Sequence, residues 1–210
     1  METKRRTLQF KITLADVEPA VWRRIEVPAG YTFWDLHVAV QDAMGWLDCH
    51  LHMFRIRNPG SGEIEEIGIP DEHALEGDPI CLPGWEISVA RYFDAVGASA
   101  RYEYDFGDDW VHEIVLEAIG SRQAGTRFPR CLAGERACPP EDCGGPPGYA
   151  QLLKTIADPS DEEHERAMQW LGGSFDPDSF SPQKVRFDDP KMRWRVAFAG
   201  EEYDPDAAAG

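Results

Sequence analysis

The sequence predicts an α+β fold: a mixed or antiparallel sheet with a β-grasp-like ββαβ opening, a second β-hairpin, and two short helices near the C-terminus. Three observations carry that prediction. Apolar and polar residues alternate in paired segments, the period-two mark of half-buried strands. A helical stretch with cap signals at both ends separates the first pair from a third strand. Two short helical periodicities then follow a connection rich in Pro, Gly and Cys.

In "LQFKITL", Leu8, Phe10, Ile12 and Leu14 share one face while Gln9, Lys11 and Thr13 share the other. "VWRRIEV" repeats the pattern, with Val21, Ile25 and Val27 opposite Trp22, Arg24 and Glu26, so the pair reads as a hairpin. "TFWDLHVAVQDAMG" offers Thr32 as N-cap with Asp35 three positions on, a helical apolar spacing through Met44, and Gly45 as the stop. "HLHMFRI" is the third strand. Residues 58–100 read as a short strand, a loop and a helical turn. Tyr102, Tyr104 and Phe106 alternate with charged residues, "GDD" reverses the chain, and Trp110, His112, Ile114 and Leu116 resume the pattern as a second hairpin. Tyr149, Leu152, Leu153 and Ile156 mark one helix, and Ser160 with Glu163 is expected to cap another that stops at Gly172 and Gly173.

This organises residues 1–198 as a single domain. The sheet and first helix take 8–119, the connection 120–147, the helical pair 148–173 and a loop-like C-terminal extension 174–198. An acidic tail, 199–210, is expected to be disordered.

A net charge of −17 repels phosphate backbones and anionic membranes, so a protein partner is expected and a nucleic acid is not. Three basic clusters, Lys4 to Arg6, Trp22 to Arg24 and Lys191 to Arg195, keep a DNA-associated role open as an alternative. The N-terminal stretch alternates where a secretion signal needs a continuous apolar run, and no apolar run approaches the roughly 18 residues of a membrane helix. Five cysteines, an odd number, suit a reducing cytoplasm.

Two groups of residues have metal-ligating chemistry. Cys131, Cys138 and Cys143 fall in "CLAGERACPPEDCGGPPGY", where the spacing permits a zinc knuckle with a fourth ligand from His50, His52 or His112. The competing account makes the same stretch a rigid turn, with proline and glycine fixing the backbone and the thiols as small fillers. The second group is His50, His52 and His112 with Asp105, which converge if their strands are neighbours, as a divalent metal or an acid–base pair requires. Its competing account buries the imidazoles as core groups. No cofactor is required by either account, and zinc is the metal that the cysteine spacing permits. P-loop, nucleophile-elbow, His-Glu-x-x-His and dinucleotide motifs are absent, so no catalytic machinery is identified.

Four ordered blocks, "VWRRIEVPAGYTFWDLHVAVQDAMGWLDCHLHMFRI", "YEYDFGDDWVHEIVLE", "PRCLAGERACPPEDCGGPPGY" and "HERAMQWLGGSFDPDSF", resemble the plasmid pRiA ORF-three-like family. Members are also labelled insertion-element passenger proteins of TnpR type. The resemblance runs from about Leu8 to Phe180 and implies an α+β fold without an established activity. The Tyr-x-Arg-x-Ser context of a serine recombinase is missing, so recombinase function is not carried over. The leading expectation is a cytoplasmic interaction module associated with plasmids or mobile elements. Its contact surface would comprise Trp22, Arg23, Arg24, Asp108, Asp109 and Trp110, because Trp and Arg dominate interface hot spots. A metal-binding protein or metal-dependent enzyme is the alternative.

Overall fold

The computed structural model describes residues 6–201 except 72, 76 and 78. Eight strands form one sheet: β1 (Arg6–Leu14), β2 (Trp22–Pro28), β3 (His52–Arg57), β4 (Ile64–Gly68), β5 (Cys81–Pro83), β6 (Ser99–Tyr104), β7 (Trp110–Ser121) and β8 (Arg130–Glu135). Their spatial order is β5-β4-β3-β6-β7-β1-β2-β8. Every pairing is antiparallel except that of β4 with β5. The helices are α1 (Phe33–Met44), α2 (Gly145–Ala157), α3 (His164–Trp170) and α4 (Pro190–Ala199). The fold is therefore α+β.

The chain opens β1, β2, α1, β3 as the sequence predicts, and β1 and β3 are not neighbours in the sheet. The β6–β7 hairpin stands between them. The twelve-residue β7 pairs along all of β1, which leaves β3 to join the far side of β6.

α1 forms where its caps dictate. Thr32 accepts from the Asp35 amide while Asp35 accepts from the Thr32 amide, and Gly45 ends the helix in the left-handed region at φ 94°. Ten of its twelve residues are buried, so the helix is covered on more than its sheet-facing side. Phe33, Leu36 and Val40 join Phe10, Ile12, Ile25, Phe54, Tyr102 and Ile114 in the core. A 3-10 turn, Val89–Arg91, delivers Tyr92 and Phe93 to the same core, where Phe93 meets Phe10 edge-on at 4.7 Å.

α4 supplies the outer cover, in the later part of the C-terminal extension, which reads in the sequence as alternating or coiled after a loop-like start. Asp189 caps it, Pro190 fits its first turn, and Gly200 ends it. Arg193 docks it on α1 through Asp42 at 2.8 Å, and also pairs with Asp48 just after α1 at 3.2 Å and with Asp188 beside α4 itself at 2.8 Å. Burial nevertheless raises the Asp42 carboxyl to about 6.

The Pro/Gly/Cys stretch begins inside a strand, since Cys131 lies in β8. Beyond it, Gly145 at φ 67° lies so close to the Asp108 carbonyl that a Cβ would clash, and Gly148 lies equally close to that of Cys143. These two glycines seat the first turn of α2 on the "GDD" turn. The expected Ser160–Glu163 cap of α3 does not form, because the Ser160 hydroxyl bonds to Asp158. Residues 202–210, most of the acidic tail, lie outside the described residues.

Candidate metal centre

Three connections meet at one end of the sheet. The first follows α1, where Trp46 is buried and its indole donates to the Pro139 carbonyl at 2.9 Å. The Leu47 amide donates to Glu141 at 2.7 Å and the Cys49 amide to the Tyr104 hydroxyl at 3.0 Å. The second is the β6–β7 turn. There Asp105 adopts φ 55°, a conformation that Asp tolerates, and its Oδ1 accepts from the amides of Gly107 and Asp108. The third is the Pro-rich loop itself, held by the Tyr104 hydroxyl on Glu141 at 3.1 Å and by the Gly144 amide on Asp108 at 3.0 Å.

Where they meet, Nε2 of His50 lies 3.1 Å from Asp142 Oδ1, 3.5 Å from Asp105 Oδ2 and 3.9 Å from Glu141 Oε2. One ligand atom each from His50, Asp105 and Asp142 fits within 4.8 Å. The supporting bonds leave one oxygen each of Asp105 and Glu141 facing the imidazole, since Asp105 Oδ1 and Glu141 Oε1 carry most of the turn and loop contacts. The side chains of Asp105 and Glu141 are 11% and 14% exposed, His50 30% and Asp142 73%, so the cluster has a floor and an open side. One imidazole nitrogen with carboxylate oxygens is the donor set of borderline-to-hard divalent ions such as Mn²⁺, Fe²⁺ or Zn²⁺.

The other sequence candidates lie elsewhere. β3 pairing begins at His52 opposite Tyr104, so His50 precedes the ladder and does not share the face of His52. His52 points into the core and stacks on His37 with ring centres 3.5 Å apart. Desolvation, aided by His37, holds its pKa well below the ordinary value. His37 in turn bonds Tyr102 at 2.8 Å and Asp48 at 2.9 Å, a polar chain sealed under α4. His112 is buried, neither ring nitrogen has a hydrogen-bond partner among the described residues, and desolvation pushes its pKa down to about 3.

The three loop-region cysteines do not join a cluster of three ligands among the described residues. Burial raises all three thiols, Cys143 to about 12. Cys131 instead lies against the Ala133 carbonyl. Of the surface candidates, Arg23 and Trp110 are buried, Arg24 is paired with Glu117, and Asp109 is exposed in the β6–β7 turn. Trp22 bonds Glu135 and lies beneath the cations of Lys11 and Arg24. Of the basic clusters, Lys4 and Arg5 lie outside the described residues, and Arg193 is engaged by three carboxylates.

A profile of plasmid pRiA4b ORF-3-like proteins matches residues 6–184. The chain belongs to that family. Its relatives include the uncharacterized protein y4hQ of Sinorhizobium fredii, 38% identical over 192 residues that span 89% of this chain and 93% of the relative. Among solved structures, a protein of unknown function, MM3350 from Methanosarcina mazei Go1, is similar at a TM-score of 0.79 and 40% identity, over 88% of this chain and 100% of the other. All four residues of the cluster fall inside the family span, whereas α4 lies beyond it. No described helix of this family member is long and apolar enough to cross a membrane.

Glu141 and Asp142 are the cluster residues absent from the sequence candidates. Their signal is present as "PPEDCGG", two acids held between a proline pair and a glycine pair.

Proposed function

We propose that this protein binds a divalent metal ion through His50, Asp105, Glu141 and Asp142. The observation that carries the reading is the His50 nitrogen within 4 Å of carboxylate oxygens from three different side chains on two separate connections. Three carboxylates beside one another in a chain of net charge −17 repel, and a divalent cation offsets that repulsion. The open side at Asp142 leaves coordination positions to water or a ligand, as sites that act on bound molecules do. Leu47, Leu51 and Phe106, neighbours in sequence of the cluster residues or on the same connections, supply an exposed apolar rim in this reading.

That rim also favours a second reading, in which the end of the sheet is a contact surface for a protein partner. The two readings separate on a calorimetric titration of chelator-treated protein with Mn²⁺ and with Zn²⁺. Metal binding predicts one equivalent for the wild type and a loss of affinity of roughly tenfold or more in His50→Ala and Asp105→Asn. Absence of binding, or equal affinity in His50→Ala, overturns it and leaves the contact surface.

A further inference from the structure

Arg23 carries a charge that no carboxylate among the described residues neutralises. Its neighbours in kind, Arg24, Arg55, Arg130, Arg136 and Arg193, all pair with acids. Arg23 is only 1% exposed, and it donates to carbonyls alone: Ala43 at 2.9 Å, Trp22 at 2.8 Å and Glu135 at 2.9 Å. Nη2 makes no hydrogen bond among the described residues. The nearby thiols of Cys131 and Cys138 stay protonated, because burial raises both. A buried guanidinium with no counter-charge costs free energy that a bound anion would recover.

A pocket of about 430 Å³ opens beside it, and Lys184, Arg186 and Ser179 stand on its wall. Lys184 and Arg186 pair with no carboxylate among the described residues, and Arg186 bonds only the carbonyls of Gln183 and Val185. The one acid on the wall, Asp42, is already engaged by Arg193 and by the Asp188 amide. In a chain with 38 acidic residues against 21 basic ones, a concave site holding three cations without free acids is a departure from the average surface.

The packing that builds it is specific. Gly134 in β8 has no room for a Cβ, which would overlap the Phe180 ring and the Trp22 carbonyl. Phe180 packs against the bare strand at Gly134, with the Arg23 guanidinium carbon over its ring, 3.8 Å from the centre. That anchor brings Ser179, Lys184 and Arg186 to the same pocket.

We infer that this pocket binds a phosphate group, free or on a small monoester, with Arg23 at its base and Lys184, Arg186 and the Ser179 hydroxyl around it. Separate donors on several sides suit a tetrahedral phosphate, with three or more oxygens to serve, better than a planar carboxylate. The volume is that of a small-molecule site. The site is independent of the metal centre and stands whether or not that ion binds.

The test is calorimetry and thermal unfolding of the full chain, treated with chelator so that no metal-bound phosphate contributes. Inorganic phosphate and glycerol phosphate are each compared with chloride at matched ionic strength. Saturable binding and a raised Tm with phosphate, and not with chloride, are expected. The Lys184→Gln, Arg186→Gln double variant changes only exposed side chains, should fold as the wild type does, and should bind roughly tenfold more weakly. Binding of glycerol phosphate at least as tightly as inorganic phosphate assigns a monoester, and binding of inorganic phosphate alone assigns the free ion. No difference between phosphate and chloride, or an unchanged affinity in the double variant, overturns the inference.

Discussion

His50 and His52 are two residues apart and have opposite surroundings. His52 is sealed between His37 and the core, and burial keeps its ring neutral. His50 stands at the open end of the sheet with three carboxylates around one nitrogen. The residue type is the same, so the difference lies in environment: desolvation removes charge from one imidazole, while the other faces negative charge that attracts a cation. The boundary between them is the first rung of the ladder, His52 opposite Tyr104.

The largest expected effect exchanges the two positions. His52→Ala opens a cavity in the core and should cost about 2–4 kcal/mol of stability by urea denaturation while leaving metal affinity unchanged. His50→Ala should do the reverse, removing the metal with a stability change within about 0.5 kcal/mol in metal-free buffer. If both variants lost metal and stability together, the two regions would not be separable.

The second effect concerns pH. The folded pKa of His112, near 3, lies below the ordinary 6.5, so the unfolded chain takes up a proton first as pH falls. The stability this neutral imidazole contributes is therefore full above about 6.5 and declines as pH drops toward 3, by roughly 1 kcal/mol per pH unit. His112→Phe removes that dependence. Relative to the wild type it should gain about 3 kcal/mol between pH 7 and pH 4 in urea midpoints read at each pH.

Smaller effects test the loop that links the regions. Gly145→Ala strains a left-handed residue against Asp108 and should cost roughly 1–3 kcal/mol, with weaker metal binding because Glu141 and Asp142 shift with it. Smallest of all, the Cys138→Ser, Cys143→Ser double variant should keep the metal stoichiometry unchanged. Chelator should likewise leave the protein folded, since hydrogen bonds to Pro139 and Glu141, and from the Gly144 amide to Asp108, already hold the loop.

Local signals in the sequence carried most of the fold. Thr32, Asp35 and Gly45 specify α1 by contacts within a few residues, and the strand alternations depend only on which face is buried. What escaped depends on distant partners. β8 is a strand because β2 offers its edge, and α4 is held by Arg193 reaching acids in and just after α1 and beside α4 itself. The pairing of β1 with β7, about a hundred residues on, was equally beyond local signals.

The candidate site divides in the same way. His50 and Asp105 could be named from residue type, but reading "HLHMFRI" as the third strand began it at His50, two residues before its pairing starts. Glu141 and Asp142 reach the cluster only once Gly145 has docked on the β6–β7 turn. Arg23 was legible in principle, because the parity of Ile25 and Val27 puts it on the buried face, where a guanidinium is out of place.

The most direct test of the account is the optical spectrum of the protein loaded with Co²⁺. A centre of imidazole and carboxylates predicts d–d bands without a sulfur-to-cobalt charge-transfer band, and loss of those bands in His50→Ala. An intense charge-transfer band, or cobalt bound equally well without His50, would contradict it and return the ion to the cysteines.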